Sequence, residues 1–134
     1  MLEIKHLAAY YPYKLQMTRN GFIGELKAMA DSREFKVSCS DWWESLDDTN
    51  HYKPILRPLS DLTKEIEVNG EKFVPIQKLG ELFEMSVIEY CFIEQNPELI
   101  LGGARYVVVN KLLEWHFDVF GLIPQGSAID INTL

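Results

Sequence analysis

The stretch ARYVVVNKLLEWHFDVF, Ala104–Phe120, carries the strongest structural signal in the chain. Stepped at about 100° per residue, it divides into two faces. Val108, Val109, Leu112, Leu113, Trp115, Val119 and Phe120 gather on one side, with Tyr106 and Phe117 at its margin. Asn110, Lys111, Glu114 and Asp118 gather on the other, and Val107 alone falls on the wrong side. An apolar stripe this broad is what a helix needs to cover a core. Gly102-Gly103 precede the stretch, and Gly121 follows it where a C′ residue with positive φ would stand. The spacing predicts a single core helix over Ala104–Phe120.

Upstream the period changes. Leu2–Tyr13 reads as a short helical turn that stops before Pro12. Leu15 and Met17 then alternate with Gln16 and Thr18, and Arg19-Asn20-Gly21 supplies the Asn-Gly hairpin signal. Phe22–Met29 and Glu34–Cys39 alternate in the same way, with a turn at Asp31-Ser32-Arg33 between them. Three short strands in an antiparallel meander follow. Trp42 and Trp43 are adjacent, so they point apart, one toward a core and one toward solvent. Ser45–Asn50 is polar and acidic and reads as a mobile loop. An exposed tryptophan beside it would be a natural contact residue.

Lys53–Leu59 carries Pro54 and Pro58, which confine it to an edge strand or an extended connector. Ser60 can cap a short helix through Glu65, with Asp61 in its first turn. Val68-Asn69-Gly70-Glu71 is a turn into a short strand at Lys72–Val74. Pro75 suits the first position of a second helix, with Ile76, Leu79, Leu82 and Phe83 on one stripe and Gly80 inside it. Ser86–Ile93, SVIEYCFI, fits a continued helix or a buried strand equally well. The tail from Leu122 keeps an apolar residue every few positions, the mark of a segment that packs across the fold.

The length, 134 residues, suits one domain. Met1–His6 lacks the apolar core of a signal peptide, and no run reaches the ~18 apolar residues of a membrane span. Cys39 and Cys91 read as two free, mostly buried thiols of a reducing compartment. The formal charge of −7, with scattered Lys and Arg, argues against a direct grip on nucleic acid and permits a basic protein partner or mimicry of a phosphate backbone. A nucleic-acid interface would need Lys14, Arg19, Lys27, Arg33 and Lys36 on one side of the meander.

The chemical motifs are few. Glu114, His116 and Asp118 would share a face on a strand, but on a helix they diverge and cannot hold one ion. His116 is expected buried and neutral, bonded to a carbonyl or carboxylate. His6 and His51 have no partner at ligand spacing, Gly102-Gly103 lacks the Lys-Ser/Thr of a phosphate loop, and neither cysteine has a histidine beside it. No catalytic, cofactor or metal residue is assigned.

Three stretches taken together resemble one family. They are KPILRPLSDLTKEIEVNGEKFVPI at Lys53–Ile76, LLEWHFDVFGLI at Leu112–Ile123, and the ending GSAIDINTL. They are similar to small uncharacterised proteins encoded in bacteriophage and prophage genomes. The likeness covers the second half well and the N-terminal meander loosely, and Leu82–Gly103 matches none of its patterns. It transfers no catalytic residue. It implies an accessory protein in the cytoplasm of an infected or lysogenic bacterium. It also singles out Arg57, Asp61, His116 and Asp118 as motif residues, with Arg57 or Asp61 bonding the helix region that bears His116.

The expectation is therefore an α+β fold: an antiparallel sheet of about four strands, the long C-terminal helix on one face and the shorter Pro75–Phe83 helix beside it. An uncovered apolar sheet face would make a homodimer. The expected function is non-enzymatic binding of a host or phage protein, with Trp42, Trp43, Asp47, Asp48 and His51 as contact residues. The alternatives are a nucleic-acid-associated role in phage replication or recombination and, third, an enzyme.

Overall fold

A computed structural model describes residues 2–30 and 33–134. The turn expected at Asp31-Ser32-Arg33 falls largely outside the described residues. Helix α1 (Ile4–Tyr10) buries Leu7 and Tyr10 and runs into a 3-10 turn, Tyr11–Tyr13, that accommodates Pro12. Lys14, at φ 58°, then redirects the chain into β1 (Gln16–Arg19). Asn20 (φ 52°) and Gly21 (φ 85°) form the left-handed pair of a tight hairpin. It leads to β2 (Phe22–Met29), then β3 (Glu34–Val37) and β4 (Glu44–Ser45), each antiparallel to its neighbour.

The sheet is larger than the alternation alone implies. It has six strands in the order β4-β3-β2-β1-β5-β8. β5 (Lys53–Leu56) pairs antiparallel with β1 and parallel with β8 (Ile129–Asp130), so the sheet is mixed. β5 is thus an interior strand and not an edge. Pro54 is tolerated because β8 pairs only with Ile55 and Leu56, beginning one residue past the missing donor. The tail packs across the fold as its spacing implies: Leu122 and Ala128 are buried, and Asn132 bonds Asp61.

β6 (Ile66–Val68) and β7 (Glu71–Phe73) make a separate hairpin around Asn69-Gly70, both at positive φ. Ser60 does not cap a helix. The Leu59–Thr63 segment is a 3-10 helix that starts after Pro58, and Asp61 turns inward. Helix α2 (Pro75–Phe83) has proline in its first turn, as Pro75 predicts. Ser86–Ile93 resolves as helix: α3 (Val87–Gln95) is capped by Ser86 Oγ, which accepts the Glu89 N–H at 3.1 Å. Helix α4 (Ile100–Gly103) is one turn long, and Gly103 lies under the Phe92 ring where a Cβ would stand 2.5 Å from its tip.

The long C-terminal helix is the main correction. Among the described residues there are five α-helices, and the one in this stretch, α5 (Tyr106–Glu114), is only nine residues long. Trp115 is its C-cap and His116, at φ 63°, is the left-handed residue after it. The His116 N–H reaches the Leu113 carbonyl (3.0 Å) and the Phe117 N–H the Leu112 carbonyl (2.9 Å). Those two bonds are a Schellman ending. Gly121 does have positive φ (71°), but it terminates no helix. Beyond His116, Phe117 bridges in parallel to Arg57, and the chain turns again at Val119-Phe120. Trp115, Phe117 and Val119 are all buried, on a period of two that a helical stripe also accommodates.

The core lies between one sheet face and the helices. Leu15, Met17, Leu26, Phe35 and Val37 pack with Leu7, Tyr10, Leu79, Leu112 and Phe117 in one cluster. The alternate positions Gln16, Thr18, Glu25, Lys27 and Lys36 face away, so the other side of the sheet is largely polar. Both thiols are free, but neither is buried as expected: Cys39 and Cys91 are exposed, with Cys39 Sγ 3.3 Å from the Tyr52 hydroxyl. Among the described residues, no helix is long and apolar enough to cross a membrane.

Candidate functional site

The β3–β4 connection presents both tryptophans to solvent, Trp42 at 78% and Trp43 at 46% of full exposure. Neither is core. The Lys36 ammonium stands 5.3 Å from the Trp43 ring centroid, a cation–π contact that holds the ring on the surface. The acidic segment after them is anchored: Leu46 is buried, and Arg33 Nε donates to Asp47 Oδ1 at 2.6 Å. His51 donates from Nδ1 to the Tyr52 carbonyl at 2.7 Å. Asp47 and His51 therefore serve the local structure and Trp43 is held by Lys36, while the Trp42 and Asp48 side chains have no bonding partner among the described residues.

Of the other four candidates, Arg57, His116 and Asp118 meet through the main chain. The Arg57 N–H donates to the His116 carbonyl and the Asp118 N–H to the Arg57 carbonyl, both at 2.8 Å. Arg57 Nε donates to the Trp115 carbonyl (3.1 Å) and Nη2 to the Glu67 carbonyl (3.1 Å). Arg57, rather than Asp61, ties down the region bearing His116. Asp61 serves the tail, accepting from Asn132 Nδ2 at 2.9 Å with Lys64 Nζ at 3.6 Å. Asp118 is buried and both its oxygens are used, by the N–H groups of Leu122 and Ile123 at 2.8 Å each.

His116 is half-buried, and its Nε2 donates to the Tyr13 carbonyl at 2.6 Å. Burial pushes its pKa below the ordinary histidine value, and the Arg57 charge adds to that, against the opposing effect of the Tyr13 bond. Glu114 is bonded by Lys111 Nζ at 2.8 Å. Glu114, His116 and Asp118 thus form no converging set. Among the described residues no three His, Cys, Asp or Glu side chains gather as a metal site.

Three of the five basic residues named for a nucleic-acid face are neutralised. Arg19 pairs with Glu44 (3.0 Å), Lys27 with Glu25 (2.8 Å) and Arg33 with Asp47 (2.6 Å).

An unexpected apolar surface lies on the helical side. Helix α3 buries Ile93 alone, while Val87 and Ile88 stand 79% and 84% exposed. Arg105 pairs with Glu89 of α3 and donates from Nη2 to the Phe83 carbonyl at the end of α2 (2.9 Å). The start of α5, with exposed Tyr106 and Val107, is thereby drawn to the same corner as Leu82 and α3. Leu101, also exposed, forms a wall of an apolar groove of about 340 Å³ with Leu59, Val119, Phe120 and Ile123. The sequence signal for this face is SVIEYCFI itself, a run too apolar for a solvated helix and without a period that would hide one side. The chain matches no protein-family model, no curated protein and no solved structure.

Proposed function

We propose that this protein is a non-enzymatic binding module that docks a protein partner through the α3 corner, with Trp42 and Trp43 as a second contact. The observation that carries this reading is the exposure of Val87 and Ile88 on a helix that buries a single residue. Apolar side chains left in water at this density mark an interaction surface. The surrounding charge selects the partner's chemistry. Glu81, Glu84, Glu94 and Glu98 are exposed and make no ion pair among the described residues, and the cation Arg105 is taken up by Glu89. An amphipathic segment with an apolar face and a basic rim complements such a surface.

The resemblance of Lys53–Ile76, Leu112–Ile123 and the C-terminal ending to prophage-encoded proteins supports an accessory role in the cytoplasm of an infected or lysogenic bacterium. The neutralised cations of the meander give the nucleic-acid reading no footing of its own.

The test is capture by the tagged protein from host and infected-cell extracts, with nuclease treatment and with an Ile88→Glu variant alongside. One protein recovered near stoichiometry, insensitive to nuclease, weakened by salt and lost with Ile88→Glu is the expected result. Recovery that nuclease abolishes, or that Ile88→Glu leaves intact, would overturn the assignment.

A further inference from the structure

The guanidinium of Arg57 is half-buried yet makes no ion pair among the described residues. Its two bonds go to carbonyls, those of Trp115 and Glu67, which leaves three of its five N–H groups without a protein acceptor among the described residues. Asp61, whose charge reaches it, is already held by Asn132 and Lys64. A cation partly removed from water, bonded only to carbonyls, and with its nearest carboxylate held by other partners, is electrostatically incomplete.

Arg57 lines a cleft of about 460 Å³ formed by the Pro12–Lys14 turn, the start of β1, the β6–β7 turn and the end of α5. Its other charged walls are Lys14, Glu25 and Glu114, with His116 and Trp115 between them. Glu25 is neutralised by Lys27 and Glu114 by Lys111, each at 2.8 Å. Lys14 has no carboxylate partner among the described residues. On a chain of net charge −7, this cleft therefore holds two cations without an ion-pair partner among the described residues, while both of its carboxylates are paired.

We propose that this cleft is a binding site for a small ligand bearing a phosphate group, held between Arg57 and Lys14 with His116 in the same space. Two unmatched cations suit a dianion better than a monocarboxylate, and the planar fork of arginine suits two phosphate oxygens at once. The volume is that of a small-molecule site. His116 reports on it. Its Nε2–H is committed to the Tyr13 carbonyl, so Nδ1 is the nitrogen that takes up a proton. The groups around it are the Tyr10 ring on α1, Lys14 at the turn, Glu25 on β2, Arg57 after β5 and Glu114 on α5. An anion added to that set favours the imidazolium.

The experiment is an NMR titration of the full chain with inorganic phosphate at fixed ionic strength, following the His116 ring proton, with acetate as the second arm. A Lys14→Gln variant is run in parallel, since Lys14 is exposed and contributes nothing to the core. Saturable binding of phosphate, a raised His116 pKa in the complex, and a Kd weakened about tenfold by Lys14→Gln are expected. Acetate should bind more weakly than phosphate. A non-saturating response, or saturation unchanged by Lys14→Gln, would overturn the site. Equal saturation by acetate would overturn the phosphate assignment. None of these outcomes depends on whether α3 docks a protein.

Discussion

Arg57 and His116 are joined through the main chain, the Arg57 N–H donating to the His116 carbonyl at 2.8 Å, just where helix α5 stops. The left-handed turn at His116 swings Phe117 alongside Arg57 as a parallel bridge, and the guanidinium returns to the Trp115 carbonyl. One residue after β5 thereby supplies acceptors and donors to a chain end that would otherwise lie unbonded against the core.

Replacing Arg57 should therefore weaken the whole fold. Arg57→Ala removes two charged hydrogen bonds to carbonyls and is expected to cost about 2–4 kcal/mol. Arg57→Lys keeps the charge but cannot reach Trp115 and Glu67 together, so it should recover less than half of that loss. Equilibrium urea unfolding of the three proteins measures both numbers. A near-wild-type Arg57→Ala would mean the carbonyls are equally well served by water.

His116 makes stability depend on pH. Its folded pKa is lowered from 6.5 by burial, so the unfolded chain binds more protons in the window just below 6.5. Stability is complete above about pH 6.5 and falls as pH drops through that value toward the folded pKa. His6, also lowered by burial, contributes in the same direction. His116→Leu should flatten part of this slope while costing about 1–2 kcal/mol at pH 7.5, because the Tyr13 carbonyl loses its donor. No loss of stability in His116→Leu would refute a role for this side chain in fixing the core.

What the sequence revealed divides by range. Asn20-Gly21 and Asn69-Gly70 specify their hairpins within two residues, and Pro75 marks the start of α2 in the same local way. The end of α5 was hidden because Trp115, Phe117 and Val119 satisfy both a helical stripe and a strand alternation. What decides between them is Arg57, distant in sequence. The β5–β8 pairing is equally non-local, and nothing near Pro54 announces that a C-terminal strand will cover it. For α3 a local cue did exist: Ser86 three residues before Glu89 is a capping signature, though Glu89 turns to Arg105 and leaves only half of the box formed. Of the candidate site, the exposure of Trp42 and Trp43 could not be read from their adjacency, which says only that they diverge. The Arg57 cleft is assembled from five separate segments, so no spacing could reveal it.

Gly80 offers a gain in stability. It lies inside α2, and a Cβ built on it meets nothing within 4 Å. Gly80→Ala should stabilise by about 0.5–1 kcal/mol, through restricted freedom in the unfolded chain and better helix propensity. The same urea series detects it as a raised midpoint at unchanged slope. A destabilised variant would mean that α2 is bent at this position.

The α3 face separates folding from function. Val87 and Ile88 are so exposed that replacing both by serine removes little packing, and the unfolding free energy should move by no more than about 0.5 kcal/mol. Phe92 is the contrasting position. Its ring lies on Gly103, so Phe92→Ala strips a contact between α3 and α4 and should cost about 1–3 kcal/mol. If α3 is a docking surface, the Val87→Ser, Ile88→Ser protein will fold normally and lose its partner. A large loss of stability in that protein would instead assign these residues to the fold itself, and the exposed corner would no longer mark an interface.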